Sequence, residues 1–407
     1  MAGPVPVRLT DTTFGDAQRQ LLGGRLPAAE ILSLARRLDG LGLAALEAFG
    51  AAAFQSQLEL GEDPWDHLRS LRQAAPNTPI QALVRGQSLV GRRSFADDAV
   101  ELFVRTAVDC GVDLFRVFDP LNDVRNLEVA IGAARKAGRR VQGALCYTTS
   151  PVHDLDLWRR LGAELVELGV DDLVIRDCAG LLTPGAARDL VQNLAALGRP
   201  VLVHSHCSSG LAPMAYTAAV EAGAAGLDTA LSPLAWGDSQ PATESVVAAL
   251  AGDEHDTGVD LERLLEIRFE VDELKHRHRE DSCPRGERVD AGVLRYGLPS
   301  SMLEEVDRQL GEHQACERLG EALAEAARVR KDLGHPPLVT PIRQLVASQA
   351  VFNLLAGDRY LTVTQELKEY LQGLYGTTPA PASVEVRRLV LGTDEPVSVR
   401  PADLLEP

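Results

Sequence analysis

A short β-rich run followed by a longer amphipathic stretch recurs eight times before residue 260, and this rhythm constrains the chain more than any other feature. The runs are Val7–Thr13, Ala44–Gly50, Ile80–Arg85, Asp113–Asp119, Val141–Thr148, Asp172–Asp177, Pro200–His206 and Gly226–Ser232. Between them lie helical patterns such as Ala29–Leu41, Ala96–Cys110, Leu127–Ala137, Asp156–Leu168, Ala186–Leu197 and Met214–Ala222. Apolar residues recur there three and four apart, as in Val100, Phe103, Val104 and Val108. Several patterns stop at a glycine just before the next run (Gly42, Gly111, Gly138, Gly169, Gly198), the residue that most easily ends a helix. Eight strand–helix units in about 250 residues match the size and order of a closed parallel barrel. A doubly wound sheet shares the alternation, but it wants a Gly-rich dinucleotide fingerprint after its first strand, and none follows here.

From Asp260 the strand runs stop and helical patterns follow one another: Leu261–Arg279, Met302–Leu310, Arg318–Leu333, Ile342–Leu355 and Leu367–Leu374. The loops His335-Pro336-Pro337 and Pro379-Ala380-Pro381 punctuate them. The expected fold is α/β: a (β/α)8 TIM barrel over residues 1–258, then a helical C-terminal domain over 259–407 ending in a short loose tail. The net charge of -17, with arginines clustered only as pairs, argues against nucleic acid as a partner. Met1–Arg8 lacks the apolar stretch of a leader, and no apolar run is long enough to span a bilayer, so no membrane insertion is expected. Cys110, Cys146, Cys178, Cys207, Cys283 and Cys316 form no CxxC pair, which suits a reducing, cytoplasmic setting.

Barrel enzymes place their chemistry at the C-terminal ends of the strands. Those ends are polar here: Asp11-Thr12-Thr13 with Asp16 beyond, then Glu47, Arg85, and Arg116 with Asp119 and Asn122. Cys146-Tyr147, Arg176-Asp177-Cys178, His204-Ser205-His206 and Asp238 follow. Two histidines two apart on a strand face the same way, so His204 and His206 are suited to hold one ion. An oxygen from Asp16 completes a three-residue metal site with positions open for substrate. The competing reading is a pair of structural histidines at the rim, which the strand-seven location disfavours. Cys178 or Cys207 as a thiolate ligand is the lesser reading, because small buried thiols are common in barrel cores. Glu47 reads as a partner to a ligand rather than as an acid or base.

A run of collinear motifs carries a family resemblance: LTDTTFGDAQ, EAFGAAAF, EDPWDHLRSLR, LVRGQSLVG, LFRVFDPLND, CYTTSPVH, VIRDCAGLLTP and VHSHCSSG, then RVRKDLGHPPLVTP and SQAVFNLLAGDRY. With them the chain resembles the carboxyltransferase subunits and domains of transcarboxylase, oxaloacetate decarboxylase and pyruvate carboxylase over nearly its whole length. The resemblance implies a barrel with a funnel-like helical domain and a homo-oligomer, most simply a homodimer. It also implies a divalent metal ion (Zn, Mn or Co) on Asp16, His204 and His206. No Met-Lys-Met-type attachment site is present, so biotin is not expected on this chain, and a separate biotin-carrier protein is a partner in the biotin-dependent reading.

Against that family pattern the site is rewritten. The carboxylated lysine is replaced by Arg176, and a guanidinium cannot form a stable carbamate. The substrate arginine before the metal aspartate is Gly15, the histidine-glutamine after it is Gln18-Arg19, and a tyrosine is Arg92. The proton-shuttling threonine falls at Asp238 in GDSQP, while Arg85, Arg116 and Asp119 remain. The expected catalytic groups are therefore Arg176, Asp238, Arg85 and Tyr147, and the expected contacts to a small carboxylate substrate are Arg85, Arg19, Arg92 and Arg176. The chemistry implied is carbon–carbon bond making or breaking beside the carboxylate of a small 2-oxo acid, through a metal-stabilised enolate. With the lysine and threonine both lost, a biotin-independent decarboxylase or lyase stands first. The alternatives are a biotin-dependent carboxyltransferase subunit with a separate carrier chain, or a non-catalytic ligand-binding relative. Arg176 and Asp238 are expected to meet over the mouth; a substrate carboxylate, or Glu47 or Asp177, is the other partner for the arginine.

Overall fold

A computed structural model describes residues 6–406; Met1–Val5, the start of the stretch read above for a leader, lie outside the described residues. Eight parallel strands close into a barrel in chain order. They are β1 (Arg8–Asp11), β2 (Ala45–Gly50), β3 (Ile80–Val84), β4 (Leu114–Phe118), β5 (Arg140–Cys146), β6 (Asp172–Asp177), β7 (Val201–Ser205) and β8 (Gly226–Thr229). β8 pairs back onto β1, with Thr10 beside Asp228. The (β/α)8 expectation thus holds, and each expected strand overlaps an observed one. β7 is buried at every position because helices cover its outer side while the barrel interior covers the other.

The outer helices bury one stripe each. Helix Asp97–Asp109 turns Val100, Phe103 and Val104 inward as its spacing predicts, while Ala107 is buried and the expected Val108 only half-buried. Gly111, just beyond it, has φ 115°, and a Cβ there would lie 2.7 Å from the Arg72 side chain. Glycine therefore both ends this helix and permits its close approach to the neighbouring one.

Inside the barrel, alternation along the strands builds a separate small cluster from Phe118, Ala144, Cys146, Val174 and Leu202. Val339 of the C-terminal domain joins that cluster, so the helical domain sits over the C-terminal mouth of the barrel. That domain has its own core, with Leu298, Met302, Val306, Val329, Ile342 and Val346 all fully buried. Helix Leu261–Arg277 follows the expected division at residue 258, yet its Leu264, Ile267, Val271 and Leu274 pack in the barrel's core. Apolar packing therefore carries the barrel unit past that residue.

The tail departs from expectation. Val384–Leu391 is a helix, and beyond it Arg400 Nη2 pairs with Asp97 Oδ2 of a barrel helix at 2.6 Å. Arg125 donates to the Ser398 carbonyl at 3.0 Å. The tail is tied down by partners about 270 to 300 residues away, which local composition does not register. Among the described residues no helix is long and apolar enough to cross a membrane.

Candidate active site at the barrel mouth

β1 runs straight into a single π-helical turn, Thr13–Ala17. The Asp11 carboxylate starts it, accepting the Thr13 backbone N–H at 3.1 Å and the Thr13 hydroxyl at 3.0 Å. Such turns commonly re-aim a functional side chain. This one places Asp16 Oδ2 2.7 Å from His206 Nε2 and 3.5 Å from His204 Nε2. Gln240 Nε2 donates to the same Asp16 oxygen at 2.7 Å. The three residues expected to bind metal are thus brought together.

A fourth donor joins them. The Cys178 sulfur and one ring nitrogen from each of His204 and His206 lie within 4.8 Å of one another. The sulfur and two imidazole nitrogens form one donor group, and an Asp16 oxygen lies against the same two imidazoles; donors of these types fit a divalent ion of the zinc type. Behind them, Asp228 Oδ2 lies 2.8 Å from His204 Nδ1, which leaves Nε2 to face Asp16. Arg116 Nη2 donates to the other Asp228 oxygen at 3.0 Å, and both residues are fully buried.

The ionisation states follow from this packing. Burial alone would raise the Asp16 carboxyl, but His206 and His204 outweigh it and hold the group well below the usual carboxylate range. Burial also disfavours a charged His204; hydrogen bonds to Asp16 and Asp228 overcome it and hold the imidazole well above its ordinary value. Glu47 is different: burial pushes its carboxyl up to about 7, with Arg116 only partly offsetting the effect. Its side chain also explains Gly15, where a Cβ would lie 2.6 Å from Glu47 Oε1.

Beside this group opens a cavity of about 990 Å³, the solvent at its mouth included. Phe49, Leu83, Val90, Phe118 and Val339 give it apolar walls. Five arginines face it: Arg19, Arg85, Arg92, Arg176 and Arg343. Four of these are expected from the sequence, Arg85 and Arg176 at strand ends and Arg19 and Arg92 from the family pattern. Arg343 comes from helix Ile342–Ala356 of the C-terminal domain and carries no local mark in the sequence. Arg85 is anchored by donating to the Gly91 carbonyl at 2.6 Å. Burial, and then the charges of Arg19, Arg92 and Arg176, push its pKa down to about 10. Burial and the nearby Arg343 lower Arg19 as well. Cations crowded against one another in a partly dry cavity form a receptor for an anion.

Two expected catalytic residues lie elsewhere. The Arg176–Asp238 pair does not form. The Arg176 guanidinium lies 5.0 Å from the centre of the Phe118 ring and donates through Nη1 to Cys178 Sγ, rather than to Asp238, Glu47 or Asp177. Asp238 follows Gly237, whose φ of 56° turns the chain toward the helical domain. There its carboxylate accepts hydrogen bonds from Ser208 at 2.7 Å and from Ser300. Its own N–H reaches the Gly286 carbonyl at 2.7 Å. Asp238 is a joint between the two domains and does not line the cavity. Tyr147 follows the inward-facing Cys146, so alternation turns it out of the barrel, with its ring 5.6 Å from Trp158. Burial raises its phenol, and it does not line the barrel-mouth cavity. Asp228 and Gln240 do take part in the site. The signal for Asp228 was a carboxylate inside a strand run, where only a paired charge survives.

A closed eight-stranded parallel barrel with these donors and arginines gathered at the C-terminal ends of its strands has the architecture of a (β/α)8-barrel enzyme. The description HMGL-like matches residues 6–271, and Conserved carboxylase domain matches residues 293–407. The chain is 48% identical over 404 residues to a subunit of the pyruvate carboxylase of Methanocaldococcus jannaschii, covering 98% of this chain and 71% of that protein. It is 40% identical over 407 residues to the 2-oxoglutarate carboxylase large subunit of Hydrogenobacter thermophilus, covering 98% and 62%. The carboxyl transferase domain of Rhizobium etli pyruvate carboxylase, solved with pyruvate and biocytin, superposes with a TM-score of 0.94 at 31% identity, covering 99% of this chain and 71% of that one. The chain belongs to the carboxyltransferase family of the biotin-dependent pyruvate carboxylases. This membership favours the biotin-dependent alternative over the biotin-independent lyase placed first on sequence.

Proposed function

We propose that the chain is the carboxyltransferase component of a biotin-dependent carboxylase. It would move a carboxyl group between biotin on a separate carrier protein and a small 2-oxo acid. The observation that carries this reading is that five arginines face the cavity lined by Asp16, whose carboxylate in turn contacts His206 and His204. Arg85, fixed by the Gly91 carbonyl, takes a substrate carboxylate, and Arg19, Arg92 and Arg343 surround it. Asp16, His204 and His206 would hold a divalent ion, which when bound supplies Lewis-acid stabilisation of an enolate oxygen. The walls from Phe49, Leu83, Val90, Phe118 and Val339 keep bulk water from the reacting groups, which strengthens the arginines' hold on an anion.

The test is the reverse half-reaction with oxaloacetate, scored as pyruvate released by the purified protein with and without free biotin. Biotin should raise the rate, and Arg85→Ala should lower it mainly through a higher KM. Decarboxylation that ignores biotin would replace this reading with the lyase; no turnover despite oxo-acid binding would replace it with a binding protein.

A further inference from the structure

We infer that Cys178 is the fourth protein ligand of the barrel-mouth metal, in the place the family gives to a carboxylated lysine, so that the site is Asp16, His204, His206 and a cysteine sulfur. The inference rests on the metal reading above and specifies its donor set.

Placement supports it first. Arg176 pairs in register with His204, and strand alternation gives Arg176 and Cys178 the same inward side. The residue between them, Asp177, faces the other way, where it accepts the Ser205 hydroxyl at 2.8 Å and the Leu182 N–H at 2.8 Å. The Cys178 sulfur thereby comes within 4.8 Å of both histidine donors, and it lines the same cavity as Asp16.

Charge supports it second. Arg176 cannot supply an anionic ligand, and its side chain is committed to the Phe118 ring and to Cys178. A metal-bound thiol is deprotonated outright, so sulfur restores the negative donor that the arginine removed. The guanidinium then donates to that sulfur, an outer contact of the kind that orients a metal ligand. The neighbouring thiols serve as controls. Cys146 is fully buried in the inner cluster, and Cys207 joins a bridge with Gly237, so neither belongs to the donor group. One thiolate, two imidazoles and one carboxylate select zinc or cobalt over magnesium or manganese.

The test loads metal-free protein with Co2+ and records the near-ultraviolet spectrum at one metal per chain. A sulfur-to-cobalt charge-transfer band is expected in the wild type and in Cys146→Ser, and it should vanish in Cys178→Ser. Zinc affinity in Cys178→Ser, measured by chelator competition, should fall by more than the roughly 10–100-fold that an outer contact costs. X-ray absorption on the zinc-loaded wild type needs no variant, and should show a Zn–S shell at about 2.3 Å. Stoichiometric metal without that shell, or a band surviving in Cys178→Ser, overturns the inference while leaving the metal reading intact. Wild-type protein that takes up no metal overturns both.

Discussion

Replacing Asp228 by asparagine tests the support behind the metal group with almost no change in shape. Asp228 is fully buried and shares its two oxygens between Arg116 and His204 Nδ1. Burial alone would raise its carboxyl, yet Arg116 and then His204 bring it from 3.8 down to about 2. At about 1.4 kcal/mol per unit, that drop is a preference for the anion of about 2 kcal/mol. Asparagine loses this and leaves Arg116 in the core with Gln142 at 2.8 Å and Glu47 at 3.9 Å as its remaining partners. Breaking a buried pair by removing one partner costs about 3–5 kcal/mol, so the figure of about 2 kcal/mol is a lower bound.

Thermal unfolding of the metal-free proteins should therefore show the Asp228→Asn transition lower by roughly 4–9 °C. The same variant should bind zinc about 10–100-fold more weakly, because one neutral amide oxygen replaces the carboxylate that serves both Arg116 and His204 and fixes the imidazole's tautomer. The sign of the pH dependence is set by a depressed carboxyl. Its contribution is full above 3.8 and disappears as the pH falls through about 2, so the gap between wild type and variant should be level near neutrality and close in acid. An unchanged midpoint with unchanged zinc affinity would refute the claim that this carboxylate holds the site together.

Asp238→Ala separates a joint from a catalytic group: it strands the Ser208 and Ser300 hydroxyls and should cost about 1–3 kcal/mol of stability in urea unfolding, with oxo-acid binding at the mouth unchanged. A stable variant with lost binding would return Asp238 to the site. The metal-free protein should also lose stability as the pH rises above neutrality. His204 is held above its ordinary value of 6.5, so its contribution is full below 6.5 and is lost as the pH climbs through the higher folded value. Metal competes with that proton, so the stabilisation by zinc should grow with pH; a gap independent of pH would contradict the assignment of His204 Nε2 as a ligand.

The barrel was legible because each strand run is short, apolar and closed by a polar residue or glycine, and the helices keep their stripes. The grouping of Asp16, His204 and His206 was legible for the same reason: the two histidines share the period of two, and β1 ends where Asp16 can reach them. The misplaced residues show what periodicity omits. Tyr147 is one residue out of phase with Cys146, a fact the alternation contains but the polar end of the strand obscures. Asp238 lies beyond its strand on a loop, and its partner Ser300 is 62 residues away, so no strand rule directs it. Arg343 enters from the other domain, and only the packing of the two domains reveals it.

The charges at the mouth also make sense only together. The chain carries a net charge of -17, yet five arginines face a single cavity. Against the family pattern, Gly15 removes one cation, while Arg19, Arg92 and Arg176 each bring one. Gly15 cannot be refilled while Glu47 stands against it, since a Cβ there meets both the side chain and the backbone oxygen of Glu47. The cationic surface has therefore shifted across the mouth rather than being lost. A positive cavity with low-dielectric walls in an otherwise acidic protein focuses the field, drawing anions to this one opening while the rest of the surface repels them. Arg176 is held at the cavity wall by the Phe118 ring on one side and the Cys178 sulfur on the other. On the reading proposed above, exchange of a lysine for arginine in the family pattern puts the Cys178 sulfur, which lines the cavity and lies beside both histidines, where the proposed metal donors and the arginines meet.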